Sequence, residues 1–323
     1  MKYDHIQGLA AYTSIKTMNE TEHKISPLAN ELAALLKQTR NLILTGAPGT
    51  GKTYLAKEIA RAMSAIYGFT QFHPSYDYTD FVEGLRPVKH DGKEIGFELR
   101  PGIFKKFCID AVDSQQNGET NNSSCYLFHI DEINRGELAK IFGELFFAID
   151  PSYRGEKGKI ATQYHNLIEK DDTFADGFYI PENVYIIGTM NDIDRGVETM
   201  DFAIRRRFAW REIKSDERLE MLDTLIGEGV SPDIIEKAKG RLKSLNNAIS
   251  EIPSLGSPYH IGPAYFLSIT NYINSSEPFK DLWNYHLEGV LAEYLRGTED
   301  KEQTMKSLRH HYDTPVSSKV DNN

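Results

Sequence analysis

The eight residues GAPGTGKT, Gly46 to Thr53, constrain this chain more tightly than any other stretch. They fit G-x-x-x-x-G-K-[ST], a loop that works only between a strand and a helix. NLILTG before it is a short apolar run closed by glycine. TYLAKEIARAMSAIYG after it carries apolar residues at helical spacing and a glycine stop. Gly46, Gly49 and Gly51, with Ala47, Pro48 and Thr50 between them, let backbone N–H groups turn toward phosphate oxygens. Lys52 would reach the outer phosphates and Thr53 would ligate Mg²⁺. The following helix would direct its positive end at the anion. The loop predicts binding of a nucleoside triphosphate.

The rest of the chain supplies a matching frame. SPLANELAALLK reads as a helix with Ser26 as N-cap. FTQFHP, CYLFHIDE, NVYIIGTMN and FAWREI read as further strands, with the helix GELAKIFGELFFAID after the second of them. Apolar strands alternating with helices predict an α/β fold, a parallel sheet covered on both faces. Residues 84–102 carry Gly, Pro and charge between β-like fragments and read as a hairpin insertion. After about residue 214 the pattern turns wholly helical, through RLKSLNNAISEI and LWNYHLEGVLAEYLRG. The expected organisation is an arm or linker over 1–25, an α/β domain over 26–213, a helical lid over 214–297 and a polar, frayed tail over 298–323.

Composition narrows the setting. The chain has 323 residues, 40% hydrophobic and 26% charged, with two cysteines and a net charge of −10. Cys108 and Cys125 make no disulfide framework, which suits a reducing cytoplasm. No apolar run has the length of a membrane span, and the N-terminus lacks a signal peptide's apolar stretch. The acidic balance argues against an electrostatic footprint for nucleic acid over the chain as a whole.

Three clusters carry chemistry. In YLFHIDEINRG the strand delivers Asp131 and Glu132 at its carboxyl end, where ligand sites of open α/β sheets lie. Asp131 suits the Mg²⁺ water shell, and Glu132 suits orienting or activating the attacking water. In GTMNDIDRG, Asn191 and Asp194 have the spacing with which small G proteins read guanine. If the strand ending at Met190 neighbours the one ending at Asp131, Asn191 faces the γ-phosphate or the water, far from the base. In DFAIRRRFAW, Arg205, Arg206 and Arg207 form a cluster that is costly unless anions offset it. An arginine reaching a neighbour's γ-phosphate would supply transition-state charge.

GAPGTGKT, HIDEINRG, GTMNDIDRG and DFAIRRRF, in this order and spacing, resemble an AAA+ NTPase, and more closely the McrB-like family, motors of modification-dependent restriction systems. QFHPSYDYTDFVEGLRP and PENVYIIGTMN are similar to segments that distinguish that family, and the resemblance covers about residues 38–296. It implies a five-stranded sheet of order 5-1-4-3-2, a helical lid, and a hexameric ring with nucleotide at subunit interfaces. It makes Asn191 sensor 1 and places Asp201, Arg206 and Arg207 as trans-acting residues, with Asp194 and Arg195 matching the family's Asp-Arg. Three positions depart from the family. Asp192-Ile193 stands where Thr-Ala is typical, Gly196 where Ser is, and Pro263 in YHIGPAYF where His often follows the Gly. His260 is the remaining sensor-2 candidate, read as a packed surface histidine.

The resemblance implies a GTP- or ATP-hydrolysing motor, GTP slightly favoured, with Mg²⁺ and an McrC-like nuclease partner. DNA would be reached through another domain or subunit, and no membrane is involved. A protein-remodelling ATPase of the MoxR type, which shares the insertion, is the alternative. A nucleotide-gated assembly module with little turnover fits the acidic pair and the arginines least.

Overall fold

A computed structural model describes residues 13–14, 25–90, 94–116, 125–193 and 202–315. Contacts group the chain into two compact units, one over 1–44, 53–190 and 196–211 and the other over 45–52, 191–195 and 212–323.

The first unit is built on a sheet of β1 (Thr13–Ser14), β2 (Asn41–Thr45), β3 (Ile66–Gln71), β6 (Tyr126–Asp131), β7 (Val184–Thr189) and β8 (Ala209–Glu212). Their order is β1-β3-β6-β7-β2-β8. Without β1 this is the expected order 5-1-4-3-2 read from the β8 edge. Pairs β2–β7, β3–β6 and β6–β7 are parallel. The unexpected member is β1, two residues from the presumed arm that pair antiparallel with β3. Strands β6 and β7 are buried along nearly their whole length, as the apolar runs require of a sheet covered on both faces.

Helix α1 (Pro27–Thr39) starts as expected, with the Ala29 N–H donating to the Ser26 hydroxyl at 3.2 Å. Helix α2 (Lys52–Ala62) ends six residues earlier than its periodicity suggests. Ser64 turns the chain through φ 51°, and IYGF joins the ladder beside β6 instead. There Gly68 sits so close to the Phe107 and Phe128 rings that a Cβ would come within 2.8 Å of each. The helix expected over GELAKIFGELFFAID is likewise split into α5 (Leu138–Phe142) and α6 (Leu145–Ala148) by Gly143 at φ 49°.

The frame is completed by α3 (Tyr78–Phe81), the hairpin of β4 (Glu83–His90) with β5 (Glu94–Pro101), and α4 (Ile103–Gln116). Phe81 stacks on Phe104 at 4.8 Å and meets Phe72, Phe128 and Phe142 edge-on. Each such buried ring contributes about 1.5–3 kcal/mol by removal from water. The hairpin's base is anchored by a buried ion pair, Lys105 Nζ to Glu83 Oε2 at 2.5 Å. Removing one partner of such a pair costs about 3–5 kcal/mol.

The second unit is helical. Helix α8 (Pro232–Ser250) is its spine, joined by α9 (Ala264–Leu267), α10 (Pro278–Leu282), α11 (Glu288–Tyr294) and α12 (Lys301–Asp313). A π turn over Trp283–Leu287 links α10 to α11 and buries Trp283 and Leu287. The polar, frayed tail expected after Thr298 is corrected by α12. Its Leu308 and Tyr312 are buried, and it is tied to α8 by Arg241 donating to the Tyr312 carbonyl and Ser244 to that of His311. The stretch is polar on average but has a one-sided apolar pair, which suffices for docking. Among the described residues, no helix is long and apolar enough to cross a membrane.

Candidate nucleotide site

The phosphate loop follows β2 and belongs to the second unit. Gly49 and Gly51 adopt φ of 77° and 79°, which only glycine takes at no steric cost. A Cβ on Gly51 would also strike the Met221 sulfur at 2.5 Å. Lys52 is buried, and its ammonium donates to the carbonyls of Gly46 (3.0 Å) and Ala47 (2.9 Å). The lid segment is bonded to the loop through its backbone: Gly262 N–H to the Pro48 carbonyl and Ala264 N–H to that of Gly49. Gly262 lies so close that any Cβ would meet the Gly49 carbonyl carbon at 2.0 Å. Pro263, the departure from the family pattern, sits between these two donors and has no N–H to lose there.

Beside Ala47 opens a cavity of about 400 Å³, lined among others by Ile213, Lys214, Asp216, Lys243 and His260. Its size suits a small ligand group. Its walls come from the segment after β8 and from the helical part of the chain. His260 is a packed histidine. Its ring bridges the Ser250 hydroxyl (2.7 Å) and the Ser215 hydroxyl (3.4 Å). Burial pulls its pKa below the usual value. Asn246 fixes the wall by accepting from the Ile261 N–H and donating to the Ile261 carbonyl and the Ser215 hydroxyl.

The two unfamiliar letters of GTMNDIDRG take different parts. The Asp192 N–H donates to the Gly46 carbonyl at 3.4 Å. Burial raises its carboxyl pKa, against the pull of Lys52. Ile193 packs against the helical core. Asn191 follows β7, and β7 does neighbour β6, the condition set for its phosphate-facing reading.

In the first unit, Thr53 donates to Asp131 Oδ1 at 3.0 Å. This pairing of a hydroxyl and a carboxylate is a hard-oxygen set of the kind that holds Mg²⁺ while waters and phosphates complete its octahedron. The residues therefore fit the ion. Glu132 stands just past β6 with φ 51°, a left-handed conformation that costs about 1–3 kcal/mol in a non-glycine residue and clusters at functional sites. Its carboxylate accepts from Arg135 Nε at 3.2 Å. Sequence reading missed what lies beneath: His129, wholly buried in mid-strand, bonds Tyr67 and Thr189. The signal was available, as one polar letter in the apolar run YLFHI.

The three arginines separate at the end of α7 (Phe202–Arg205). Arg205 lies over the Trp210 ring at 4.9 Å. Arg206 is exposed. Arg207 turns inward: its side chain is 10% exposed, donates to the Ala203 carbonyl at 2.6 Å and lies 5.0 Å over the Phe146 ring, with Asp150 at 3.9 Å. Asp150's carboxyl is raised by burial, yet lowered on balance by Ser152 and by Arg207 and Arg206. Asp194, Arg195, Gly196 and Asp201 lie outside the described residues.

Known families match both parts of the chain. Residues 41–208 match the model of the AAA domain (dynein-related subfamily), and residues 237–303 match the McrB alpha-helical lid domain. The chain is 36% identical over 234 residues to the Type IV methyl-directed restriction enzyme EcoKMcrB subunit of Escherichia coli K12, covering 70% of this chain and 47% of that one. It is 30% identical over 213 residues to the Type II restriction enzyme BsuMI component YdiS of Bacillus subtilis 168, covering 57% and 60%. The chain thus spans about half the length of the curated relatives it matches. A solved Cytophaga hutchinsonii structure superposes over 88% of both chains at 14% identity with a TM-score of 0.38, too loose to add to the fold described above. A phosphate loop, an acidic strand end and an McrB-type lid in one chain leave a single assignment: this protein belongs to the McrB-like branch of the AAA+ nucleoside-triphosphatases.

Proposed function

We propose that this chain is the nucleotide-driven motor of a restriction system, hydrolysing GTP in preference to ATP within a hexameric ring and driving an McrC-like nuclease subunit. The observation that carries the reading is the McrB-type lid bonded through Gly262 and Ala264 to an intact phosphate loop. The two restriction-enzyme relatives support it. DNA is reached through another domain or subunit, in keeping with a net charge of −10.

In this reading the loop amides and Lys52 hold the outer phosphates. Thr53 and Asp131 would hold Mg²⁺, which when bound neutralises charge on the β- and γ-oxygens. Glu132 leaves Arg135 to orient the attacking water, and Asn191 attends the γ-phosphate. Arg206 is the residue offered to a neighbouring subunit, with Arg207 folded behind it; Asp201 joins the trans-acting set by resemblance alone. The cavity beside Ala47 takes the base. Asp216 could accept from guanine N1–H and N2–H while a lysine donates to O6, which supports GTP over ATP. The α/β part is taken as 26–213 and the lid as 214–297, extended by α12 over 301–313.

A MoxR-like remodelling ATPase is the second reading. It is favoured by the hairpin β4–β5, whose Ile95 and Phe97 are 71% and 67% exposed. Turnover of GTP and ATP, measured with and without the product of a neighbouring nuclease gene, separates the two. GTP turnover stimulated by that product supports the motor; ATP turnover indifferent to it supports the remodeller. Glu132→Gln should keep nucleotide binding and stop hydrolysis. A Glu132→Gln protein that turns over like the wild type would remove Glu132 from the chemistry.

A further inference from the structure

Under the acidic strand end a line of polar side chains runs through the sheet interior, one strand at a time. Tyr67 on β3 places its hydroxyl 2.6 Å from His129 Nδ1. His129 on β6 places Nε2 3.1 Å from the Thr189 hydroxyl on β7. That hydroxyl lies 2.5 Å from Asp131 Oδ1. Tyr67, His129 and Thr189 are 4%, 0% and 2% exposed. Valine or isoleucine would fill such positions at no desolvation cost, whereas each buried polar group is unfavourable unless its bonds are made.

The direction of the bonds follows from chemistry. The Asp131 carboxylate only accepts, so the Thr189 hydroxyl donates to it. The Thr189 oxygen is then left to accept, and Nε2 is its donor in either protonation state of the ring. Thr53 donates to the same oxygen of Asp131 at 3.0 Å. Oδ1 thus takes two hydroxyl donors, which fixes the carboxylate's rotation and leaves Oδ2 outside the clamp. The Thr53 proton is committed to Asp131, so the lone pairs of that hydroxyl are free for a cation.

We propose that His129 and Thr189 are positioning residues for the metal: together with Tyr67 they lock Asp131 in the orientation that holds the Mg²⁺ water shell. Groups that orient ligating side chains typically change metal affinity by about 10–100-fold when removed. The inference rests on the nucleoside-triphosphatase reading above.

The test is Mn²⁺ binding followed by electron paramagnetic resonance, with the non-hydrolysable analogues GMPPNP and AMPPNP in separate titrations. Nucleotide affinity in EDTA and thermal melting are measured alongside. Thr189→Val and His129→Leu should weaken Mn²⁺ by about tenfold or more while metal-free nucleotide affinity stays at the wild-type value. His129→Gln, whose amide can still donate to Thr189, should recover most of the loss. Wild-type Mn²⁺ affinity in folded Thr189→Val, or a matching fall in metal-free nucleotide affinity, would overturn the proposal. Thr189→Val changes one hydroxyl to a methyl, so it carries the test if His129→Leu does not fold. A wild-type protein that binds Mn²⁺ with neither analogue would bring down the nucleoside-triphosphatase reading itself, a distinct outcome.

Discussion

The amino and carboxyl ends of the parallel strands both bury polar side chains, and they wire them in opposite ways. At the amino end Asn41, fully buried, donates to the carbonyls of Ile149 and Arg207 at 2.8 Å each and accepts from Arg154. Arg154 is so enclosed that burial draws its pKa down to about 10. At the carboxyl end the donors converge instead on one oxygen of Asp131, and Glu132 emerges in a left-handed conformation. One network ends on backbone carbonyls; the other converges on a carboxylate that keeps an oxygen for a ligand. A buried polar cluster is therefore no sign of a site until the direction of its hydrogen bonds is followed.

This contrast can be broken in four places. Lys52→Ala should have the largest effect, abolishing nucleotide binding and, with it, ring formation, because the nucleotide bridges subunits in our reading. Sedimentation of a hexamer of Lys52→Ala without nucleotide would contradict that link. Arg206→Ala comes next: single-subunit nucleotide binding should be unchanged while turnover falls by about 10³-fold or more. Normal hydrolysis would remove Arg206 from the trans-acting role, and mixing with Glu132→Gln subunits should restore some activity where intact halves meet.

At the amino end the readout changes from turnover to stability. Asn41→Leu strips partners from two carbonyls and a guanidinium, each costing about 1–3 kcal/mol when left unsatisfied. Urea denaturation should show a loss of at least about 3 kcal/mol; a smaller change would mean that water replaces the asparagine. Arg207→Ala is the mildest, costing about 1–2 kcal/mol through its lost carbonyl bond and its contact with Phe146. If it instead lowers turnover as far as Arg206→Ala without altering the melt, Arg207 acts across subunits and the inward geometry is rearranged in the ring.

Much of this could be read from the residues. GAPGTGKT dictated its own strand–loop–helix setting because only that setting aims amides and a helix end at phosphate. The acids after YLFHI emerge where a buried strand ends, and the switch to helical periodicity near residue 214 separated the helical part. Element limits were less legible. Ser64 and Gly143 stop helices that periodicity would continue, because a left-handed turn lets the next segment find a ladder or a core that no local pattern records. The same holds for α12, whose few apolar letters gain meaning only against α8.

The sequence by itself determined the phosphate loop, the acid pair and the McrB-like frame, since these depend on residue type and spacing along one stretch of backbone. Only the tertiary structure decided that Arg207 turns inward while Arg205 and Arg206 stay exposed, and how His129 bears on Asp131. It also decided which segments wall the cavity beside Ala47. Those questions turn on side chains brought together from distant strands, and such contacts are not carried by the order of letters.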